Sequence, residues 1–142
     1  MAAGVLAAVY PFTKRFFSLP QAWLGMCFGF GIPMAFGAVT DGVPAMAWVL
    51  LLANTFWTLA YDTEYAMVDR DDDLRIGIRT SAILFGRADV AMVMAFQGLF
   101  LATMAAAGAS RGAGWPWYAG LAAGGVLALS HYPLIRRRER DG

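Results

Sequence analysis

Cysteine and histidine are nearly missing: one Cys (Cys27) and one His (His131) stand in 142 residues. That excludes a disulfide-stapled secreted module and leaves no Cys/His set for zinc. Charge is scarce too, at 15% of residues with a formal net charge of +1, where an ordinary soluble domain carries about 25%. Without an excess of cations to release counterions from phosphates, a nucleic-acid binder is excluded. Glycine-rich phosphate loops, low-complexity periods and Ser/His/Asp sets are absent as well.

What is abundant is apolar surface, 59% of the chain. Four stretches, 19–39, 43–61, 88–109 and 115–135, contain no Lys, Arg, Asp or Glu apart from Asp89 at one end. Each is long enough for the about 20 helical residues that cross a hydrocarbon core of about 30 Å. A helix of a soluble core would keep a polar face; these do not. The expected fold is all-α, a multi-pass transmembrane bundle forming a single membrane-embedded domain over 1–142. The apolar stub at 2–9 is too short to cross and reads as the tail of a helix whose beginning is missing. A signal peptide would need a basic leader and a small-residue cleavage site, which the stub lacks.

Cations set the orientation. Lys14 and Arg15 precede the first span, Arg70, Arg75, Arg79 and Arg87 lie between the second and third, and Arg136, Arg137, Arg138 and Arg140 follow the last. The intervening turns at 40–42 and 110–114 hold only Arg111. Ten of the eleven cations thus share one side, which the positive-inside rule makes cytoplasmic. The loop at 62–87 is then cytoplasmic, and a bacterial inner membrane is the expected location. Gly25/Gly29 and Gly120/Gly124 are expected to let helices approach closely. Pro33 should kink or loosen the first span, and Trp115 and Trp117 fit an interfacial belt. Trp23, Trp48, Trp57 and the eight Met residues read as lipid-facing or packing groups.

One stretch carries chemistry. Six of the ten acidic residues fall within 61–80. If the second span continues as a helix, Asp69 and Asp73 stand one turn apart on a common face, with Asp62 projecting within about 20° of both. Carboxylates without an interleaved cation repel one another, and their natural partner is a hard divalent ion such as Mg²⁺, which keeps waters and takes phosphate oxygens. An EF-hand is rejected, because Leu74 stands where Gly is needed and Thr80 where Glu is needed. A solvated helix end, its acids neutralised by Arg70, Arg75 and Arg79, is the plain alternative. Those arginines, with Lys14 and Arg15 nearby, also supply the forks that hold diphosphate. A prenyl diphosphate, with its head here and its tail among the spans, suits this arrangement.

The string YDTEYAMVDRDDD at 61–73, IGIRTS at 76–81 and LFG at 84–86, with YPFTKR at 10–15 and GFGIPMA at 29–35, resembles the UbiA superfamily of intramembrane prenyltransferases. Within it the likeness is to the 4-hydroxybenzoate polyprenyltransferases of ubiquinone biosynthesis. The resemblance implies two pseudo-repeated helical bundles, each bearing one aspartate-rich motif, with this chain matching the second half. The first motif, of the type N-D-x-x-D-x-x-x-D, is not found: Asn54 is the only Asn and no Asp follows it. The expectation is a chain inactive by itself, with a missing amino-terminal half as its partner. The implied reaction transfers a polyprenyl group from polyprenyl diphosphate to the ring of 4-hydroxybenzoate. In it Asp69 and Asp73 bind Mg²⁺; Asp62 binds metal or polarises the phenol; Tyr61 and Tyr65 contact diphosphate or the developing allylic cation. Arg70, Arg75, Arg79, Lys14 and Arg15 are the implied diphosphate contacts. The competing classes are a small transporter or channel subunit, for which the spans offer almost no charged pathway, and a noncatalytic bundle partner.

Overall fold

The computed structural model describes residues 4, 5, 8 and 20–137. Lys14, Arg15, most of the stub at 2–9, the first residue of the expected first span, and Arg138 and Arg140 lie outside the described residues. Within them every regular element is helical: α1 Pro20–Gly29, α2 Gly31–Thr40, α3 Ala45–Val68, α4 Arg70–Ile76, α5 Ser81–Phe85, a 3-10 turn at Gly86–Ala88, α6 Asp89–Ser110 and α7 Trp115–Arg137. The all-helical membrane bundle expected from composition is the architecture found.

By length and composition three segments among the described residues qualify as membrane spans: Ala22–Thr40, Ser81–Ser110 and Trp115–Arg136. The stretch 43–61, expected as a further span, falls for the most part in α3, 24 residues long and the most polar of the long helices in its middle. Its polar residues have protein partners. Asn54 Nδ2 donates to the Gly25 carbonyl at 3.2 Å, and Thr55 and Thr58 donate back to the carbonyls of Leu51 and Asn54, each at 2.9 Å. α3 is the hub of the bundle, packed by α1, α2, α5 and α6. A helix wrapped by protein can keep polar groups that a lipid-facing helix cannot.

The first span breaks at Phe30, between α1 and α2. Pro33 sits in the first turn of α2, where its missing N–H would have met the carbonyl of Gly29; that one rung of the ladder is lost while Phe30 stays right-handed helical, with its N–H bonded to the Met26 carbonyl and its carbonyl to Met34 N. Gly25 and Gly29 do face α3. A Cβ on Gly25 would stand 3.1 Å from Thr58 Cβ, and one on Gly29 3.0 Å from Asn54 Nδ2. The second glycine pair behaves differently: Gly124 approaches Leu101 but Gly120 has no neighbour within 4 Å.

The core is built from small side chains. Ala47, Ala53, Ala60, Ala66, Ala82 and Ala107 are buried, whereas Phe28, Trp115, Val126 and Leu129 are exposed. This inverts a water-soluble protein, because hydrocarbon gives apolar side chains no reason to hide and close backbone approach becomes the source of packing energy. The turn residues Thr40 and Gly42 share one cavity with Arg111. The two short turns therefore lie at the same end of the bundle, as the alternation of charge requires.

Candidate functional site

The acidic segment forms at the end of α3. That helix stops at Val68, and Asp69 adopts φ −89°, ψ 1° as a joint before α4. The carbonyl of Asp69 accepts from both Asp72 N (3.1 Å) and Asp73 N (2.9 Å). Asp71, Asp72 and Asp73 fill the first turn of α4, where the partial positive charge of a helix start favours carboxylates. This is why the helix restarts rather than continues. Asp69 and Asp73 stand one turn apart across the joint, the Asp73 N–H still bonded to the Asp69 carbonyl, and Asp62 lies two turns earlier on α3. α4 ends at Gly77, whose φ of 72° is the left-handed cap that glycine adopts without steric cost.

Two polar ties fasten this segment to the spans. Thr63 Oγ1 in α3 donates to Ser81 Oγ in α5 at 2.8 Å, both residues fully buried. Arg70 reaches the wholly buried Asp89 at the start of α6, Nη1 to Oδ2 3.6 Å, and its Nη1 also donates to the Gly86 carbonyl at 3.4 Å. Asp89 Oδ1 in turn accepts from Val90 N at 2.7 Å.

The implied site residues fall into groups. Tyr61 and Tyr65 are exposed and in contact, their hydroxyls 3.2 Å and ring centroids 4.8 Å apart. Trp57 stacks on Tyr61 at 5.4 Å, so an aromatic ladder climbs one face of α3 toward the acids. Asp62 is half-buried on another face of that helix. Arg75 is exposed and paired with Asp72 at 3.4 Å, and Arg79 is exposed beyond Gly77. Lys14 and Arg15 lie outside the described residues.

Among the described residues no three His, Cys, Asp or Glu side chains converge into a cation cage. The donors present nonetheless suit Mg²⁺, which is commonly held by about one or two carboxylates while keeping waters and substrate phosphates. Asp69 and Asp73 are hard oxygen donors, exposed and half-exposed respectively.

The sequence reading left a further polar set unassigned. A groove of about 360 Å³ between α3, α6 and α7 is lined by Glu64, Gln97 and His131 among largely apolar neighbours. Gln97 Nε2 donates to Glu64 Oε1 at 3.1 Å. The available signal was a strongly polar residue in the interior of an apolar run.

Comparison with known proteins follows the same lines. The model of the UbiA prenyltransferase family matches residues 1–142. The 4-hydroxybenzoate octaprenyltransferase of Cupriavidus metallidurans is 62% identical over 138 residues, 97% of this chain and 47% of that protein. The enzyme of that name from Methylobacillus flagellatus is 63% identical over 136 residues, 96% and 46% of the two chains. The one from Burkholderia mallei is 58% identical over 138 residues, 97% and 48%. The chain thus spans about half the length of the curated relatives it matches. No solved structure matches it. An all-helical bundle with an aspartate-rich joint at the end of its central helix, matched over its whole length by that family model, belongs to the UbiA prenyltransferase family.

Proposed function

We propose that this chain supplies the second aspartate-rich wall of an enzyme that transfers a polyprenyl group from polyprenyl diphosphate to the ring of 4-hydroxybenzoate, in ubiquinone biosynthesis. The observation that carries the reading is the joint at Asp69. It holds two carboxylates one turn apart at the end of an aromatic ladder, and the relatives that share the chain bear the corresponding enzyme name.

Asp69 and Asp73 would hold Mg²⁺, which would supply positive charge to offset that of the diphosphate leaving group. Arg75 and Arg79 lie on the same segment and contact the outer phosphate oxygens. Arg70 holds α4 against α6 through Asp89 and leaves part of its guanidinium open to the same anion. Tyr61 and Tyr65 line the approach, offering hydroxyls to phosphate oxygens and ring faces to positive charge that builds on the allylic carbon. Asp62 polarises the phenol or joins the metal. Lys14 and Arg15 add cations from the neighbouring turn. The site opens on the cytoplasmic side of a bacterial inner membrane, and an amino-terminal half contributes the first motif.

The test compares the chain alone with the same chain joined to the amino-terminal half of the Cupriavidus metallidurans relative. Prenylation of 4-hydroxybenzoate from polyprenyl diphosphate is measured in membranes with Mg²⁺ and with a chelator. Activity is expected only in the joined protein and only with Mg²⁺. Full insertion with no prenylation under any condition would refute the reading.

A further inference from the structure

Asp89 opens α6 with a carboxylate wholly out of contact with solvent. An ionised group in that position is costly unless a cation is held against it, and the cation supplied is Arg70, Nη1 to Oδ2 3.6 Å. The same Nη1 donates to the Gly86 carbonyl at 3.4 Å, and Asp89 Oδ1 accepts from Val90 N at 2.7 Å. Sequence alone offers Arg70 nearer partners. Asp69 is its neighbour in the chain, and Asp73 stands three residues on in α4, a spacing at which side chains meet on a helix. That spacing does bring a pair together in this same helix, Arg75 with Asp72 at 3.4 Å. Arg70 turns to α6 instead. The reason is dielectric: attraction to a charge in the protein interior is several times stronger than attraction between groups that water screens, and Asp69 is exposed. The two arginines that flank the acids, Arg70 and Arg75, are thus each engaged by an acid other than Asp69 and Asp73.

A guanidinium beside those two carboxylates would compete with a divalent cation for them, because both are positive and both seek the same oxygens. We propose that Asp89 is a positioning residue that draws the Arg70 cation onto α6 and so keeps Asp69 and Asp73 open to the metal. It touches neither metal nor substrate and acts through Arg70. A plain fastener of α4 would need only the ion pair to exist, whereas this role needs the cation to do harm once released. The two roles therefore predict opposite outcomes when Arg70 itself is removed. The inference rests on the prenyltransferase reading and adds a residue of α6 to the aspartate-rich wall.

The joined protein, purified in detergent and free of diphosphate, is titrated with Mn²⁺ in place of Mg²⁺, and free Mn²⁺ is read from its electron paramagnetic resonance signal. Asp89→Asn, which keeps the shape and removes the charge, should weaken Mn²⁺ binding at least about tenfold, the order by which a cation a few ångströms away alters a carboxylate's affinity for a proton. Arg70→Met, with no guanidinium to release, should bind Mn²⁺ as well as the unsubstituted joined protein or better, and Asp89→Asn/Arg70→Met should return to the unsubstituted value. A fastener alone predicts an equal loss in all three variants, since each breaks the tie; that result, or unchanged binding in Asp89→Asn, overturns the proposal. If Asp89→Asn does not reach the membrane, Arg70→Met decides by itself, because weakened binding there overturns the proposal and undiminished binding supports it. The Mg²⁺ concentration for half-maximal prenylation should follow the same order across the variants. An unsubstituted joined protein that binds no Mn²⁺ overturns the metal reading and this inference with it, whereas one that binds Mn²⁺ while every variant matches it overturns the inference alone.

Discussion

Asp69 works through its backbone and its side chain at once. Its carbonyl starts α4 by accepting from Asp72 and Asp73, while its exposed carboxylate is left for a cation. Replacing it with Ala keeps the carbonyl and removes the ligand. In the joined protein Asp69→Ala or Asp73→Ala should therefore lower prenylation by at least about 10²-fold, the order of loss when an electrostatic stabiliser of a transition state is removed. Helix content and membrane insertion should stay as in the parent, and circular dichroism with membrane fractionation would check this. Full activity would mean that the acids are only a solvated cap. Arg70 makes a different prediction. With Asp89 wholly buried and Arg70 its ion-pair partner, Arg70→Met takes the guanidinium charge away from a carboxylate held in the protein interior. A loss of about 1–3 kcal/mol is expected, and the double variant Arg70→Met/Asp89→Asn should recover part of it. Thermal unfolding in detergent of the two single variants and the double reads this coupling; strict additivity would argue that the pair contributes nothing.

At the level of elements, packing depends on where one helix comes close to the next. α6 and α7 meet at Gly108, where a Cβ would collide with the indole of Trp117, the side chain whose Nε1 donates to the Met104 carbonyl at 3.2 Å. Gly108→Ala should displace that indole and cost about 1–3 kcal/mol through overpacking. In a Trp117→Phe background, where the donor is already gone and the ring is smaller, the same substitution should cost less. Thermal unfolding of the four proteins of this cycle tests it, and equal costs in both backgrounds would remove Trp117 from the account. The Gly25/Gly29 contact was legible in the sequence because two small residues one turn apart on an apolar helix have few other uses. The same spacing at Gly120/Gly124 did not identify a contact for Gly120, since spacing gives a face but not the neighbour opposite. Likewise hydropathy marked α1 with α2, α6 and α7 plainly and α3 less so, because packing against neighbouring helices permits Asn54, Thr55 and Thr58 where exposure to lipid would not.

Across the whole molecule, fold class and family were both readable from residue order, for a physical reason. Long uncharged runs admit one solution in hydrocarbon, in which every backbone polar group is paired within a helix, and acids crowded at the boundary of such a run have few neutral explanations. The restart at Asp69 and the pairing of Glu64 with Gln97 were not readable, because each depends on which helix lies alongside at that height. Sidedness is the remaining global property, and charge alone sets it. Arg87 lies in the segment between α4 and α6, and Ser110 ends α6 next to the turn that carries Arg111; both residues are exposed. In a Cys27→Ser background, Arg87→Cys and Ser110→Cys place single thiols at opposite ends of α6. With ten of eleven cations expected on the side of Arg87, the positive-inside rule predicts a cytoplasmic position for that end. A membrane-impermeant maleimide should then label Ser110→Cys in intact cells and Arg87→Cys only after permeabilisation. The reverse pattern would put the aspartates outside the compartment that supplies soluble diphosphates and Mg²⁺, and the proposed chemistry would lose its setting even if every carboxylate stood where the fold holds it.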